Sequence, residues 1–167
     1  MPTHSNDFTC LNHIAAILVD AGKLYSRAAR IADDPSVVDR IERTMAERDV
    51  MLREVRALAS RMRGDRREHG SMLGVAHKAF LDVRSLFDRD TRAALSEVDR
   101  GEKYLCDEIR KAIRNQGLSS ETRAFLGLML DRVANGEMRI EGKLEEVEGT
   151  TRPRHAGDSI HPIPPHH

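Results

Sequence analysis

The sequence predicts an all-α fold: a four-helix bundle made of two helical hairpins, joined by a long crossover that contains a short helix. Three observations support this prediction. Four segments of helix length place apolar residues at steps of three and four, the spacing that keeps one face of a helix toward a partner. Glycine, proline and capping residues fall where this period lapses. No segment shows the two-residue alternation of a strand, and 40% hydrophobic residues in 167 suffice for one core.

The first two predicted helices form the first hairpin. We call the line of apolar residues on one helix face a seam. The first seam consists of Leu11, Ile14, Leu18, Ala21, Tyr25, Ala28 and Ala32. The second consists of Val38, Ile41, Met45, Arg48, Leu52, Val55, Ala59 and Met62. Asp33-Asp34-Pro35 separates the two helices, because it offers an N-cap and a proline at the first helical position. Arg48 is the charged residue that interrupts the second seam.

The crossover follows Gly64, which ends the second helix. Ser71 can cap a helix of roughly 17 residues, which is about 25 Å long at 1.5 Å per residue. Such a helix is long enough to run lengthwise along a bundle. A long crossover between two hairpins differs from the short loops of a simple up-down bundle.

The last two predicted helices form the second hairpin. The third seam consists of Leu95, Val98, Glu102, Leu105, Ile109 and Ala112. The fourth consists of Phe125 or Leu126, followed by Met129, Val133, Gly136, Ile140, Leu144 and Val147. Gly117 and Ser119-Ser120-Glu121 separate these helices, and Gly149 ends the fourth. Glu102 interrupts the third seam, and Glu137 lies beside the small Gly136.

These elements predict one folded domain with two irregular ends. We expect a polar leader over residues 1–8, the bundle over residues 9–149, and a disordered tail rich in His and Pro over residues 150–167. The imidazoles of this tail could chelate nickel, copper or zinc weakly, although a solvated tail without a specific function is the favoured interpretation. They are His155, His161, His166 and His167.

Composition argues against several classes of protein. A formal net charge of zero argues against nucleic-acid binding. The chain lacks both a long apolar span and a signal peptide, so we expect a cytoplasmic protein without membrane contact. Cys10 and Cys106 have no CxxC spacing and are interpreted as free thiols. No nucleophile elbow or phosphate-binding glycine loop is present, so we assign no catalytic or cofactor-binding residue and do not expect a conventional hydrolase or kinase; whether the protein is an enzyme of another kind stays open, with the balance against it.

Charged residues near the helix midpoints are the candidate site. Glu47, Glu102 and Glu137 could together hold one hard cation, iron or another divalent metal. Alternatively, the same carboxylates form an ion-pair network with Lys23 and Arg48, because a buried charge requires a partner. We favour the network, with Arg48 pairing with Glu102 in the interior. His77 on the crossover helix is interpreted as a structural histidine.

Several short motifs follow one another along the first three predicted helices and the crossover. They are Asp20 to Tyr25 with Ala28-Ala29, Ala46-Glu47-Arg48, Gly70-Ser71, Leu73-Gly74, His77-Lys78 and Gly101-Glu102. With these motifs, Thr9 to Glu148 resembles a bacterial family of ferritin-like four-helix-bundle proteins of unassigned function. This resemblance implies a ferritin-like fold and an association with stress physiology.

The resemblance also implies a metal centre, but this chain lacks several of the ligands that such a centre has in the superfamily. The wider ferritin-like superfamily binds two metals with a Glu from each of two helices and a Glu-x-x-His pair from each of the other two. No Glu here is followed by His three residues later. Lys23 stands where the family tends to have Glu, and Glu137 where it tends to have His. We therefore expect a structural or interaction protein with a degenerate metal site, and the alternative is a protein that binds or oxidises iron.

Assembly is the last expectation. Leu24, Val50 and Leu128 are predicted to lie on outward faces of their helices, where exposed apolar side chains favour self-association. We therefore expect a homodimer. The sequence does not identify any other protein partner.

Overall fold

The computed structural model describes residues 4–63 and 90–151 of the chain. In these two ranges the chain forms four α-helices and no strand: α1 (His4–Ile31), α2 (Pro35–Arg63), α3 (Thr91–Ile113) and α4 (Ser120–Thr151). The predicted all-α class with four helices is confirmed. The predicted crossover helix and most of the predicted tail lie outside the described residues.

Side chains at the turns fix where the helices begin. Asp34 precedes α2, and its Oδ1 accepts hydrogen bonds from the backbone N–H of Ser36 at 2.8 Å and from the Ser36 hydroxyl at 2.7 Å. These bonds lower the pKa of the Asp34 carboxyl. Asp90 caps α3 by accepting from the N–H groups of Arg92 and Ala93. Ser119 caps α4 by accepting from the N–H of Thr122 at 3.2 Å.

Helix α1 begins at His4, inside the segment assigned to a leader. Asp7 is buried there, and its Oδ1 accepts the N–H of Ser119 at 2.9 Å. Phe8 packs against the core. The Asp7 hydrogen bond ties the first turn of α1 to the start of α4, and Phe8 ties it to the core.

Contacts at the two ends of the bundle define the topology. At one end, Asn6 donates to the carbonyl of Gly117 in the α3–α4 turn at 3.4 Å. At the other end, the N–H of Asp33 in the α1–α2 turn donates to Thr91 Oγ1, at the start of α3, at 2.9 Å. Helix α1 is therefore antiparallel to α2 and to α3. Helix α2 therefore ends at the opposite end of the bundle from the start of α3, and these two helices are parallel.

The core consists of two apolar clusters stacked along the bundle axis. The buried members of the first cluster are Leu11, Ile14, Ala15, Ile17, Leu18, Met51, Val55, Leu58, Ala59, Met62, Leu105, Cys106, Ile109, Leu118, Leu126, Met129 and Val133. Those of the second are Ala21, Leu24, Tyr25, Ala28, Val37, Ile41, Ala94, Leu95, Val98 and Ile140. The second cluster has fewer large side chains. Burying these residues supplies the main stabilisation of the fold.

The predicted seams agree with the observed core, with one shift. On α2 the most buried residues include Val37 and Met51, whereas the predicted Met45 and Leu52 are only partly buried and pack at the edges of the two clusters. The buried arc of α2 is wider than one seam.

One predicted surface residue is in fact buried. The prediction that Leu24 faces outward is wrong, because only 5% of this residue is exposed and it packs in the second cluster. Val50 and Leu128 are exposed as predicted, and Met138 is a further exposed apolar side chain. In the described ranges, no helix is both long and apolar enough to cross a membrane.

Candidate functional site

A layer built around a buried ion pair lies where the two apolar clusters meet, and each helix contributes one residue to it, Tyr25 being shared with the second cluster. The residues are Tyr25 from α1, Arg48 from α2, Glu102 from α3 and Gly136 from α4. In the sequence, Arg48 falls between the α2 residues of the two clusters, and Glu102 and Gly136 do so on α3 and α4. Each of the four residues occupies a seam position, so the helical period directs it toward the centre of the bundle. We call this set the central layer.

Glu102 is the acceptor at the centre of the layer. Its Oε1 accepts hydrogen bonds from the Tyr25 hydroxyl at 2.7 Å and from Arg48 Nε at 2.9 Å. Its Oε2 accepts from Arg48 Nη2, so the guanidinium and the carboxylate form a bidentate ion pair. The side chains of Arg48 and Glu102 are 1% and 0% exposed. The pairing of Arg48 with Glu102 that the seams predict is therefore present in the interior.

Two glycines make room for this network. A Cβ atom on Gly136 would lie 2.1 Å from Arg48 Nη2 and 2.8 Å from Glu102 Oε2. A Cβ atom on Gly101 would lie 3.0 Å from Tyr25 Cε1 and 3.1 Å from its hydroxyl oxygen. The absence of side chains on α3 and α4 at these positions is what lets Tyr25 and Arg48 reach Glu102.

Electrostatics explains the charge states of the two donors. Burial disfavours the charged guanidinium of Arg48, but the hydrogen bonds and negative charge of Glu102 outweigh burial and raise the pKa of Arg48. Burial, followed by the charge of Glu102 and the hydrogen bond to it, raises the pKa of Tyr25 well above its usual value. At neutral pH the layer therefore consists of a guanidinium cation and a neutral phenol.

The other predicted site residues have partners at the edges of the bundle. Glu47 lies 2.7 Å from Arg139 and 3.8 Å from Arg48 Nη1. Glu137 lies near the buried Cys106, and burial together with the negative charge of Glu137 raises the pKa of that thiol. Lys23, whose side chain is 76% exposed, lies 3.6 Å from Asp20. Across residues 4–63 and 90–151, the side chains of His, Cys, Asp and Glu form no group of three or more that could hold a metal ion.

Both cysteines are free, as the sequence predicts. Burial and the neighbouring Glu137 raise the pKa of the Cys106 thiol to about 12. Burial and the charge of Asp7 raise that of Cys10 to about 11. Because the thiolate is the reactive form, both side chains are weak nucleophiles at neutral pH.

Sequence reasoning identified the ion pair but missed its setting. Tyr25 was assigned to the core without a polar partner, and Gly101 and Gly136 were not assigned a role in the site. The available signal was the common seam period, which places Tyr25, Arg48 and Glu102 on inward faces. The level of each residue along the axis, which decides whether they meet, depends on how the helices are offset. His77 and the tail histidines lie outside the described residues.

A surface groove of about 530 Å³ lies between α1 and α2. Its lining combines apolar residues with three cations and one carboxylate: Leu18, Val19, Gly22, Lys23, Ser26, Arg30, Met45, Asp49, Leu52 and Arg56. The groove is separate from the central layer, whose residues do not line it.

Comparison of the sequence with known proteins identifies a family. No curated protein and no solved structure matches the chain. A sequence model for one family matches residues 7–115, which include nearly all of α1 and the whole of α2 and α3. The match therefore includes three of the four residues of the central layer. Since it extends over more than half of the chain, this protein belongs to the family described as domain of unknown function DUF2383.

Proposed function

We propose that this protein is a ferritin-like helical bundle with a structural or interaction role, whose mid-height metal site is degenerate. The observation that carries the proposal is the state of Glu102. Both of its oxygens accept hydrogen bonds from Arg48 and Tyr25. A metal ion at this level would have to displace the guanidinium, which already neutralises the carboxylate in a dry interior.

Topology and resemblance supply the remaining parts of this proposal. The parallel directions of α2 and α3 support this proposal, because ferritin-like bundles differ from up-down bundles in a long crossover between two hairpins. The proposed association with stress physiology rests on the family resemblance, and the proposed cytoplasmic location rests on the sequence. The alternative function is binding or oxidation of iron by the carboxylates Glu47, Glu102 and Glu137.

Iron loading separates the two functions. The full-length protein is incubated with Fe(II) under argon, desalted, and analysed for iron by mass spectrometry. Glu47→Gln and Glu137→Gln remove two of the three candidate ligands at partly exposed positions. A full-length variant with the four tail histidines replaced by Ser measures iron held by the tail. We expect less than one iron per chain, unchanged by either Gln substitution. Stoichiometric iron that falls in both Gln variants would favour the iron protein.

We also propose that the bundle self-associates as a homodimer through exposed apolar side chains. Val50 on α2 and Leu128 on α4 are 38% and 69% exposed. Exposed apolar side chains of this size favour burial between subunits. Sedimentation equilibrium of the wild type and Leu128→Ser tests this proposal. A wild-type monomer at high micromolar concentration would contradict it.

A further inference from the structure

The components of the central layer are divided unequally between the two hairpins. The first hairpin, α1 and α2, supplies the two donors Tyr25 and Arg48. The second hairpin, α3 and α4, supplies the acceptor Glu102 and Gly136, and Gly101 lies next to Glu102 outside the layer. All hydrogen bonds of Glu102 given above therefore cross from one hairpin to the other.

Shape follows the same division. The large donor side chains project from the first hairpin, and the glycines that accommodate them lie on the second. A methyl group at Gly136 would overlap the guanidinium at 2.1 Å, and one at Gly101 would press on the Tyr25 ring at 3.0 Å. The two hairpin surfaces thus match in charge and in shape at the same level of the bundle.

Neither hairpin matches a copy of itself at this level. Two first hairpins packed together would bring two Arg48 guanidinium groups into the interior without Glu102, and each would keep only the half-exposed Glu47, 3.8 Å away, as an ion-pair partner. Two second hairpins would bury two Glu102 carboxylates without a cation and leave the space beside Gly136 unfilled. Unpaired buried charges carry a large penalty, whereas the apolar seams of the two clusters do not by themselves discriminate between hairpins.

We propose that the central layer acts as a pairing code that makes the first hairpin accept the second hairpin and reject a copy of itself. The code selects among associations that the apolar clusters would otherwise permit. Such associations include the exchange of hairpins between two chains, which is open to a protein built from two helical hairpins linked by a connecting segment. The proposal goes beyond the function proposed above and holds whether or not the bundle binds a metal.

The direct test removes the code and keeps the volume of the core. The full-length chain carries Arg48→Met and Glu102→Leu, which replace the ion pair with apolar side chains of similar size, together with Tyr25→Phe, which removes the buried hydroxyl that donates to Glu102. Wild type and variant are unfolded in urea, refolded by dilution at several protein concentrations, and analysed by sedimentation velocity. Met129→Leu, a buried change on the second hairpin that leaves the charges intact, is the control.

We expect the variant to be helical and as stable in urea as the wild type, because replacing a buried ion pair by apolar residues is often neutral or stabilising. Its ratio of larger species to species of wild-type size should rise roughly tenfold or more, and the rise should grow with protein concentration. The control should match the wild type. If the variant refolds to a single species of wild-type size at all concentrations, the proposal is overturned.

A second test uses charge reversal, so that a variant that fails to fold cannot leave the question open. One full-length chain carries Arg48→Glu and another carries Glu102→Arg, so each alone places like charges in its layer. When the two are refolded together, exchange of hairpins between the chains pairs every charge with its opposite. We expect a folded two-chain species in the mixture that neither chain forms alone. A mixture that behaves as the sum of its parts overturns the proposal.

Discussion

Arginine–glutamate pairs link helices in two regions of this bundle, and the two regions differ in exposure. In the central layer, Arg48 and Glu102 are 1% and 0% exposed. Along the outside, α2 and α4 are joined by a row of pairs: Glu47 with Arg139 at 2.7 Å, Glu54 with Arg132 at 2.6 Å and Arg61 with Glu121 at 3.6 Å. The side chains of this row are between 41% and 66% exposed.

Exposure decides what such a pair can do. In the outer row, water screens both charges and solvates either partner when the other is removed, so each pair contributes little. In the central layer, removing Glu102 leaves the buried Arg48 guanidinium with only the half-exposed Glu47, 3.8 Å away, as an ion-pair partner. The buried pair therefore adds little net stability to the fold, but any packing that separates Arg48 from Glu102 is strongly destabilised. Glu47, 3.8 Å from Arg48, is where the two regions touch.

The largest expected effect comes from breaking the buried pair. Glu102→Ala strands the Arg48 guanidinium in the interior and should lower the free energy of unfolding by about 3–5 kcal/mol. Urea denaturation followed by circular dichroism measures the loss. Glu141→Ala on the exposed face of α4 is the control, and its effect should stay within roughly 0.5 kcal/mol. A melting temperature of Glu102→Ala within a degree of wild type would refute the role assigned to the pair.

A smaller loss is expected when only the third hydrogen bond is removed. Tyr25→Phe keeps the ring between the helices and the ion pair intact, but Glu102 Oε1 loses the donor at 2.7 Å. A hydrogen bond to a charged group contributes about 1.5–3 kcal/mol, so the free energy of unfolding of the variant, measured by urea denaturation, should fall by about that amount. In Glu102→Leu, where the acceptor is absent, the same Tyr25→Phe change should cost less. Equal costs in the two backgrounds would show that the hydroxyl acts elsewhere.

The glycine that admits Arg48 should tolerate a methyl group poorly. Gly136→Ala places a Cβ in the space of the guanidinium and should destabilise by about 1–3 kcal/mol, as overpacking of a core does. Gly142→Ala on the same helix is the matched control, because a Cβ there meets nothing within 4 Å. Alanine is the better helix former, so this control should gain up to about 1 kcal/mol. Opposite signs for the two variants, measured by urea denaturation, are the expected result.

The helical period predicts which charges are buried, but it does not predict the space they occupy. Arg48 and Glu102 could be identified because they interrupt apolar seams, and both are buried. Glu47 and Glu137 lie one residue away from seam positions, which puts them at half-buried edges where Arg139 and Cys106 reach them. The space that Gly101 and Gly136 leave for Tyr25 and Arg48 matters only because neighbouring helices approach closely there. The spacing of residues within one helix does not predict the distance between two helices.

The smallest expected effect comes from breaking a pair in the outer row. Glu54→Gln removes the charge that faces Arg132 while keeping the side chain nearly the same size. Because both side chains are more than 40% exposed, the free energy of unfolding should fall by only about 0.2–1 kcal/mol, and less at high salt. The measurement is urea denaturation at low and at 1 M NaCl, with Glu102→Gln as the buried counterpart. The loss in Glu102→Gln should be several times larger and should change little with salt, because ions cannot approach the central layer. If 1 M NaCl reduced the loss of stability to the same degree in both variants, the central layer would have to be accessible to solvent. The difference between the two regions would then be wrong.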